Sequence, residues 1–306
     1  MCYGDKLAKG EKKAMASEPK VSVVMPCYND GRYLSESIAS VRAQTYDNVE
    51  VIIVDDGSED RKTLSILKQL ANEPNLRIVY TQHVGPSGAR NRGIEEANGT
   101  FILPLDSDDT ISPTYIAKAV AAFAASPDVG AVYCRADLFG AQTGKWDLPD
   151  YTFETMLLDN IVFVTTLFKK EDWENVGGFN PNMKAGMEDY DFWLSILSLG
   201  KRIEQIPEVL FHYRIKENSR TAVFQQDCEQ VKQTYRQIFE NHKDFYREHA
   251  DEVIPRLRDA LIEQLFLRRM YEERAAVLER IKQIPVLGKL LTAVYRLLRK
   301  RGTKAS

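Results

Sequence analysis

Gly99-Thr-Phe-Ile-Leu-Pro-Leu-Asp-Ser-Asp-Asp109 is the stretch that decides how the chain is read. Its apolar run, Phe101 to Leu105, stops at three carboxylates within four positions, Asp106, Asp108 and Asp109. A short apolar run opened by Gly and closed by polar residues reads as a buried strand. The acids then lie at its C-terminal end, where open α/β sheets bind ligands. Period-two alternation puts Asp106 and Asp108 on one side of the chain, where both can face one divalent cation. Hard oxygen ligands beside a phosphate suit Mg2+ or Mn2+. The competing reading is a turn that simply favours Asp and Ser.

Working outward, strands alternate with helices. Val21–Pro26 reads as a strand closed by the turn Pro26-Cys-Tyr-Asn-Asp-Gly31, and Leu34, Ile38 and Val41 set a helix. Val49–Val54 is a second strand ending in Asp55-Asp56-Gly57-Ser58. Leu64, Leu67 and Leu70 mark the next helix, Leu76–Tyr80 a third strand, and Gly85 to about Asn98 a helix. After the aspartate-tipped strand come a helix over Tyr115–Ala125 and a strand over Val129–Cys134. This alternation predicts an α/β fold, Rossmann-like, with a mostly parallel sheet and a site along the edge where strands end in acidic loops. Further on, Leu138–Asp150 reads as a loop and Ile161–Phe168 as a strand. Glu188–Leu197 reads as a helix with Asp189 on its inward side, pointing into the cleft, and Arg202–Ile206 with Val209–Ile215 as a pair of strands. From Asn218 the pattern is helical.

The chain has 306 residues, with 44% hydrophobic and 28% charged, ordinary for a globular protein able to bury a sizeable core. Its net charge of −3 hides an asymmetry. Residues 280–304 hold eight Lys/Arg and no acid, so the other 33 basic residues face all 44 acidic ones. An acidic body gives no broad basic groove, which argues against nucleic acid as partner. The four cysteines have no metal-type spacing, consistent with a reduced, cytoplasmic setting. Residues 1–19 are polar and Lys-rich, unlike a signal peptide, and read as a mobile leader. No run reaches the length of a transmembrane helix.

Five motifs stand in order: Pro26-Cys-Tyr28-Asn29, Asp55-Asp56-Gly57-Ser58, Gly88-Ala-Arg90-Asn91-Arg-Gly93, Asp106-Ser-Asp108-Asp109 and Glu188-Asp189. With these the chain resembles the family-2 inverting glycosyltransferases of GT-A fold, over residues 20 to about 220, leaving 221–306 as a helical extension. The resemblance implies that Pro26, Tyr28, Asp55 and Asp56 grip the base of a nucleotide-sugar donor. Tyr28 would stack on it and Asp56 accept a hydrogen bond, with Asp55 close by; a pyrimidine imide N–H does need such an acceptor. Arg90 would face the nucleotide, with Gly88 allowing close approach. Asp106 would reach the ribose or the metal, and Asp108 would ligate the Mn2+ or Mg2+ that bridges the diphosphate. His212 stands where some relatives supply a further metal or phosphate contact. Asp189 would be the base that deprotonates the acceptor hydroxyl, with Glu188 beside it and the Gly177-Gly178-Phe179 loop on the acceptor side. Adjacency to Glu188 and burial would raise its pKa toward a useful range. Trp173, Phe179 and Trp193 could stack on sugar rings or pack in the core.

The implied activity is hexosyl transfer, metal-dependent and inverting, from a UDP-linked donor to a glycan or lipid-linked saccharide of a cell-surface polysaccharide. The last segment, 286–301, carries Leu and Val at helical spacing with Lys289, Arg296, Arg299, Lys300 and Arg301. A basic amphipathic helix suits an anionic membrane surface, hence a peripheral place at the inner face of the cell membrane. A helix packed on the body or on a partner subunit is the alternative. Two other functions stay open: a sugar-phosphate nucleotidyltransferase, and a non-catalytic glycan-binding or scaffold module of the same fold. The first would need a Gly-rich basic loop after the first strand, where this chain has Pro26-Cys-Tyr-Asn-Asp-Gly31.

Overall fold

The computed structural model describes residues 18–216, 224 and 226–282. In chain order its elements are β1 (Val21–Cys27), α1 (Gly31–Arg42), β2 (Val49–Asp55), α2 (Arg61–Leu70), β3 (Leu76–Tyr80), α3 (Gly85–Glu95) and β4 (Phe101–Pro104). Then follow β5 (Thr110–Ile111), α4 (Tyr115–Ala125), β6 (Val129–Gly140), β7 (Gly144–Lys145), α5 (Phe153–Met156), β8 (Leu167–Lys169), α6 (Lys170–Val176), α7 (Glu188–Ser198) and β9 (Arg202–Ile215). Three helices close the described chain: α8 (Cys228–Asn241), α9 (Lys243–Glu248) and α10 (Ala250–Lys282).

One mixed sheet runs in the order β3-β2-β1-β4-β8-β6-β9-β5, with β7 paired to β6. The first four strands are parallel, as the alternation of strands and helices requires. Of these, β1 and β2 are strongly apolar, because helices cover both faces: Val21, Val23, Val24, Met25, Ile53 and Val54 are wholly buried, whereas the edge strand β3 exposes Arg77 and Tyr80. The second half departs from the expected parallel pattern, since β8 runs antiparallel between β4 and β6, and β5 antiparallel to β9. Pro26 lies beyond the last β1–β4 pair, Val24 with Pro104, so its missing N–H costs no ladder bond.

Several expectations need correction. The strand β4 stops at Pro104, and Asp109 N–H donates to the Asp106 carbonyl at 3.1 Å, so the acids form a turn and strand alternation does not apply to them. The stretch 161–166 is buried but is no strand. Its carbonyls accept from side chains instead: Val162 from Trp193 Nε1, Phe163 from Thr166 Oγ1 and Thr165 from the Tyr115 hydroxyl. Only Leu167–Lys169 joins the sheet. Of the expected loop Leu138–Asp150, Leu138 to Gly140 end β6 and Gly144–Lys145 form β7, folded back on β6; the rest is irregular. The two last strands are one, β9, which skips Pro207 and Glu208 in its pairing with β6. Leu64 is exposed at 41%, outside the core that Leu67 and Leu70 enter. The basic segment 286–301 and residues 1–17 lie outside the described residues.

The helical extension braces the domain. Asp191 on α7 accepts from Asn241 at 2.7 Å and lies 3.1 Å from His242 Nε2, while the Tyr190 and Tyr246 hydroxyls meet at 3.3 Å. The helix that carries Glu188 and Asp189 is thus held from behind by residues far later in the chain.

Candidate active site

The C-terminal ends of β1, β2 and β4 converge with the N-termini of α3 and α7. Asn29, at φ 54°, ties the first two loops together: its Oδ1 accepts from the N–H groups of Glu59 and Asp60, at 2.8 and 2.9 Å. Tyr28 is 45% exposed and its ring lies 4.2 Å from that of His83, tilted by 37°. The spacing of sequence motifs gave no sign of His83, which follows β3. Asp55 and Asp56 are both buried. Asp55 accepts from Ser58 N–H at 3.1 Å, which shapes the Asp55–Ser58 turn. Asp56 accepts from the Thr81 hydroxyl and from the Val84 and Gly85 N–H groups, at 2.6, 2.7 and 2.9 Å. It thereby anchors the start of α3, the helix that carries Arg90.

Arg90 is the centre of the arrangement. It is 3% exposed, and its two terminal nitrogens donate to Asp106 Oδ1 at 2.7 Å and to Glu188 Oε1 at 2.9 Å. One buried guanidinium thus joins the acidic turn after β4 to the start of α7. Burial opposes its charge, but the Asp106 and Glu188 carboxylates more than offset this and hold it protonated. Its Nε finds no hydrogen-bond partner among the described residues.

Each acid of the turn is held differently. Asp108 meets the Lys216 ammonium, with Nζ to Oδ2 at 2.6 Å. Burial and then the Asp106 charge push its pKa up. Asp109 is 1% exposed, accepts from Arg214 N–H at 2.8 Å, and is pushed well up by burial and then by Asp108 and Asp106. Arg214 Nε also donates to the Asp108 carbonyl at 2.7 Å. The end of β9 therefore clamps the turn through Arg214 and Lys216. A motif search could have flagged Arg214, two residues after His212, but not Lys216. His212 has Nδ1 2.6 Å from Asp137 and Nε2 2.9 Å from the Ser112 hydroxyl, so neither ring nitrogen is left for a cation.

Asp189, partly buried in the first turn of α7, has its pKa pushed up to about 6. Burial is the main cause and the Glu188 charge the second; the Arg90 charge and the Tyr190 N–H, at 2.8 Å, act against them. A carboxylate with that pKa is largely ionised at neutral pH and basic enough to take up a proton.

Of the three aromatics that could stack on sugar or pack in the core, two take the core. Phe179 and Trp193 are wholly buried; Phe179 stacks on Phe192 at 4.3 Å and 26°, and Trp193 donates to Val162. What Phe179 contributes is backbone. Asn91 Oδ1 accepts from its N–H at 2.8 Å and from Trp173 Nε1 at 3.1 Å, and Asn91 Nδ2 donates to its carbonyl at 2.7 Å. Gly178, at φ 82°, fits there because a Cβ would come within 2.8 Å of Asn91 Oδ1.

Among the described residues no three His, Cys, Asp or Glu side chains gather as a metal site. Asp106 and Asp108 nonetheless suit a hard cation that takes one or two carboxylates and completes its shell with phosphate oxygens and water. Each gives one oxygen to Arg90 or Lys216 and has a second.

A parallel half-sheet whose loops present buried acids, an arginine and a helix-borne carboxylate defines a GT-A-type transferase domain. The chain belongs to glycosyl transferase family 2, whose model matches residues 22–185. It is 30% identical over 228 residues to an uncharacterized glycosyltransferase of Haemophilus influenzae, covering 69% of this chain and 70% of that one. It is 32% identical over 215 residues to the minor teichoic acid biosynthesis protein GgaB of Bacillus subtilis, covering 66% of this chain but only 24% of GgaB. It spans 24% and 45% of two further relatives, y4gI of Sinorhizobium fredii and YibD of Escherichia coli. Solved structures share the fold. S. aureus TarS 1-349 in complex with UDP-GlcNAc superposes with a TM-score of 0.58 at 21% identity, over 72% of this chain and 66% of that one. Mannosyltransferase PcManGT of Pyrobaculum calidifontis, with GDP-Man and Mn2+, does so with 0.55 at 24%, over 67% and 60%.

Proposed function

We propose that the protein is an inverting, metal-dependent glycosyltransferase that moves a hexosyl group from a UDP-sugar to a hydroxyl of a glycan or lipid-linked saccharide in cell-surface polysaccharide synthesis. The observation that carries this reading is the Asp106–Arg90–Glu188 bridge with Asp189 next to it. On this reading the Arg90 guanidinium would face the leaving diphosphate and Asp189, a weakly basic carboxylate, the arriving acceptor. Asp189 takes the proton of the acceptor hydroxyl as its oxygen attacks the anomeric carbon. The bond from that carbon to the diphosphate oxygen breaks, and the nucleoside diphosphate departs on the opposite face, which inverts the anomeric centre. Tyr28 and His83 offer ring faces for the base, and Asp56 keeps oxygen capacity beyond the three donors it accepts. Asp106 and Asp108 would hold Mn2+ or Mg2+, which supplies Lewis-acid stabilisation of the leaving diphosphate. UDP-GlcNAc in TarS and GDP-Man with Mn2+ in PcManGT support a nucleotide sugar and a cation. No described helix is long and apolar enough to cross a membrane, and the basic segment 286–301 is the element we assign to an anionic membrane surface.

Thermal shifts against UDP-, GDP-, dTDP- and CMP-sugars, with and without Mn2+, test the reading. Ligand at a hundred times its dissociation constant adds about 2.7 kcal/mol. Stabilisation by UDP-sugars that needs Mn2+ and is lost in Asp108→Ala is the expected result. A response to another nucleotide class refutes the donor, and a response indifferent to Mn2+ refutes the metal.

A further inference from the structure

Both carboxylates of the Asp-x-Asp turn already carry a cation from the chain itself, and the two cations differ in kind. Arg90 on Asp106 is buried and fixed on its other side by Glu188. Lys216 on Asp108 is 26% exposed, sits at the end of β9 on a flexible stem, and has a second carboxylate to rest on: its Nζ also bonds Asp30 Oδ2, in the loop after β1. A divalent ion arriving alone must therefore share Asp108 with the ammonium or displace it, and in either case settles beside two positive groups. A divalent ion arriving with a diphosphate meets a different balance, because the new negative charge offsets both groups and gives the ammonium somewhere to go.

Building on the function proposed above, we infer that Lys216 is a built-in counter-ion that shields Asp108 from a lone divalent cation and moves to the diphosphate, or stays on Asp30 alone, when cation and donor bind together. Its role is positioning: it makes cation binding and nucleotide binding depend on each other. Such coupling is reciprocal, so whatever factor UDP adds to Mn2+ affinity, Mn2+ adds to UDP affinity.

Mn2+ binding followed by electron paramagnetic resonance, on the full chain with and without UDP, tests this without any turnover. For the wild type, UDP is expected to tighten Mn2+ binding by roughly 5- to 100-fold. Lys216→Met, with its fold checked by circular dichroism, is expected to bind Mn2+ alone on the order of tenfold tighter than wild type, and to gain less from UDP. Equal or weaker binding of Mn2+ alone by Lys216→Met overturns the inference. Asp108→Ala separates this from failure of the metal reading itself. If Asp108→Ala binds Mn2+ with UDP as the wild type does, or if neither binds it, the turn is not the cation site and both ideas fall.

Discussion

Replacing Arg90 with Met tests the bridge at the heart of the site. The side chain of Arg90 is 4% exposed and that of Glu188 10%, whereas Asp106 keeps 34%. Methionine roughly fills the aliphatic space but removes the charge between two carboxylates. Breaking one side of a buried ion pair costs about 3–5 kcal/mol. The lower end applies here, because Asp106 can turn to water and the guanidinium's unpaired Nε is removed as well. A loss near 3 kcal/mol lowers the melting temperature by roughly 6–12 °C for a domain of this size. The second effect is chemical. Arg90 now holds the Asp189 pKa down against burial and Glu188, so its loss sends that pKa above about 6. A base works only when ionised, so the acid limb of kcat/KM moves to higher pH. Differential scanning fluorimetry and a pH profile of donor turnover measure both effects. An unchanged melting temperature, or an acid limb that stays or moves down, refutes the reasoning.

Other outcomes follow from single contacts. Asp189 binds more protons folded than unfolded between pH 3.8 and about 6, so its burial lowers stability as pH rises through that window; Asp189→Asn is expected to stabilise the protein above pH 6 by up to about 2 kcal/mol, with the gain fading below pH 4 in denaturant melts. Asn91→Ala strands the Phe179 N–H, the Phe179 carbonyl and Trp173 Nε1, and is expected to cost about 1–3 kcal/mol by urea unfolding. Gly178→Ala is expected to destabilise by about 1 kcal/mol or more, since it adds a Cβ at positive φ against Asn91. Tyr28→Ala is expected to weaken UDP binding by about 1–3 kcal/mol in calorimetry with little effect on stability, because the ring is exposed.

The parallel half of the fold was legible because β1, β2 and β4 are largely buried on both faces and read as apolar runs, with β3 at the edge more exposed. The mixed half was legible only in part: β6 and β9 stand where strands were expected, but the antiparallel pairings were not foreseen. The stretch 161–166 is as apolar as a strand, yet Trp193, Tyr115 and its own Thr166 take its carbonyls, and no local pattern records the two distant partners, Trp193 and Tyr115. The same holds for the site. Asp106, Asp108, Arg90, Glu188 and Asp189 stand in motifs, and the Arg90 guanidinium joins two of the acids, Asp106 and Glu188. His83 and Lys216 stand in none, because their partners Tyr28, Asp30 and Asp108 are remote in sequence. Phe179 and Trp193 take the core-packing alternative, as an aromatic beside a motif most often does.

The proposed transfer depends most on Asp189 as the base. The direct measurement is acceptor-dependent release of UDP by wild type and Asp189→Asn, with UDP-sugar binding followed in parallel. Asparagine keeps the size and the oxygen that accepts from Tyr190 N–H but cannot take a proton. The predicted result is donor binding like the wild type's with release reduced by 10²-fold or more, on the order expected for a lost general base. Release at the wild-type rate, with binding intact, would contradict the mechanism.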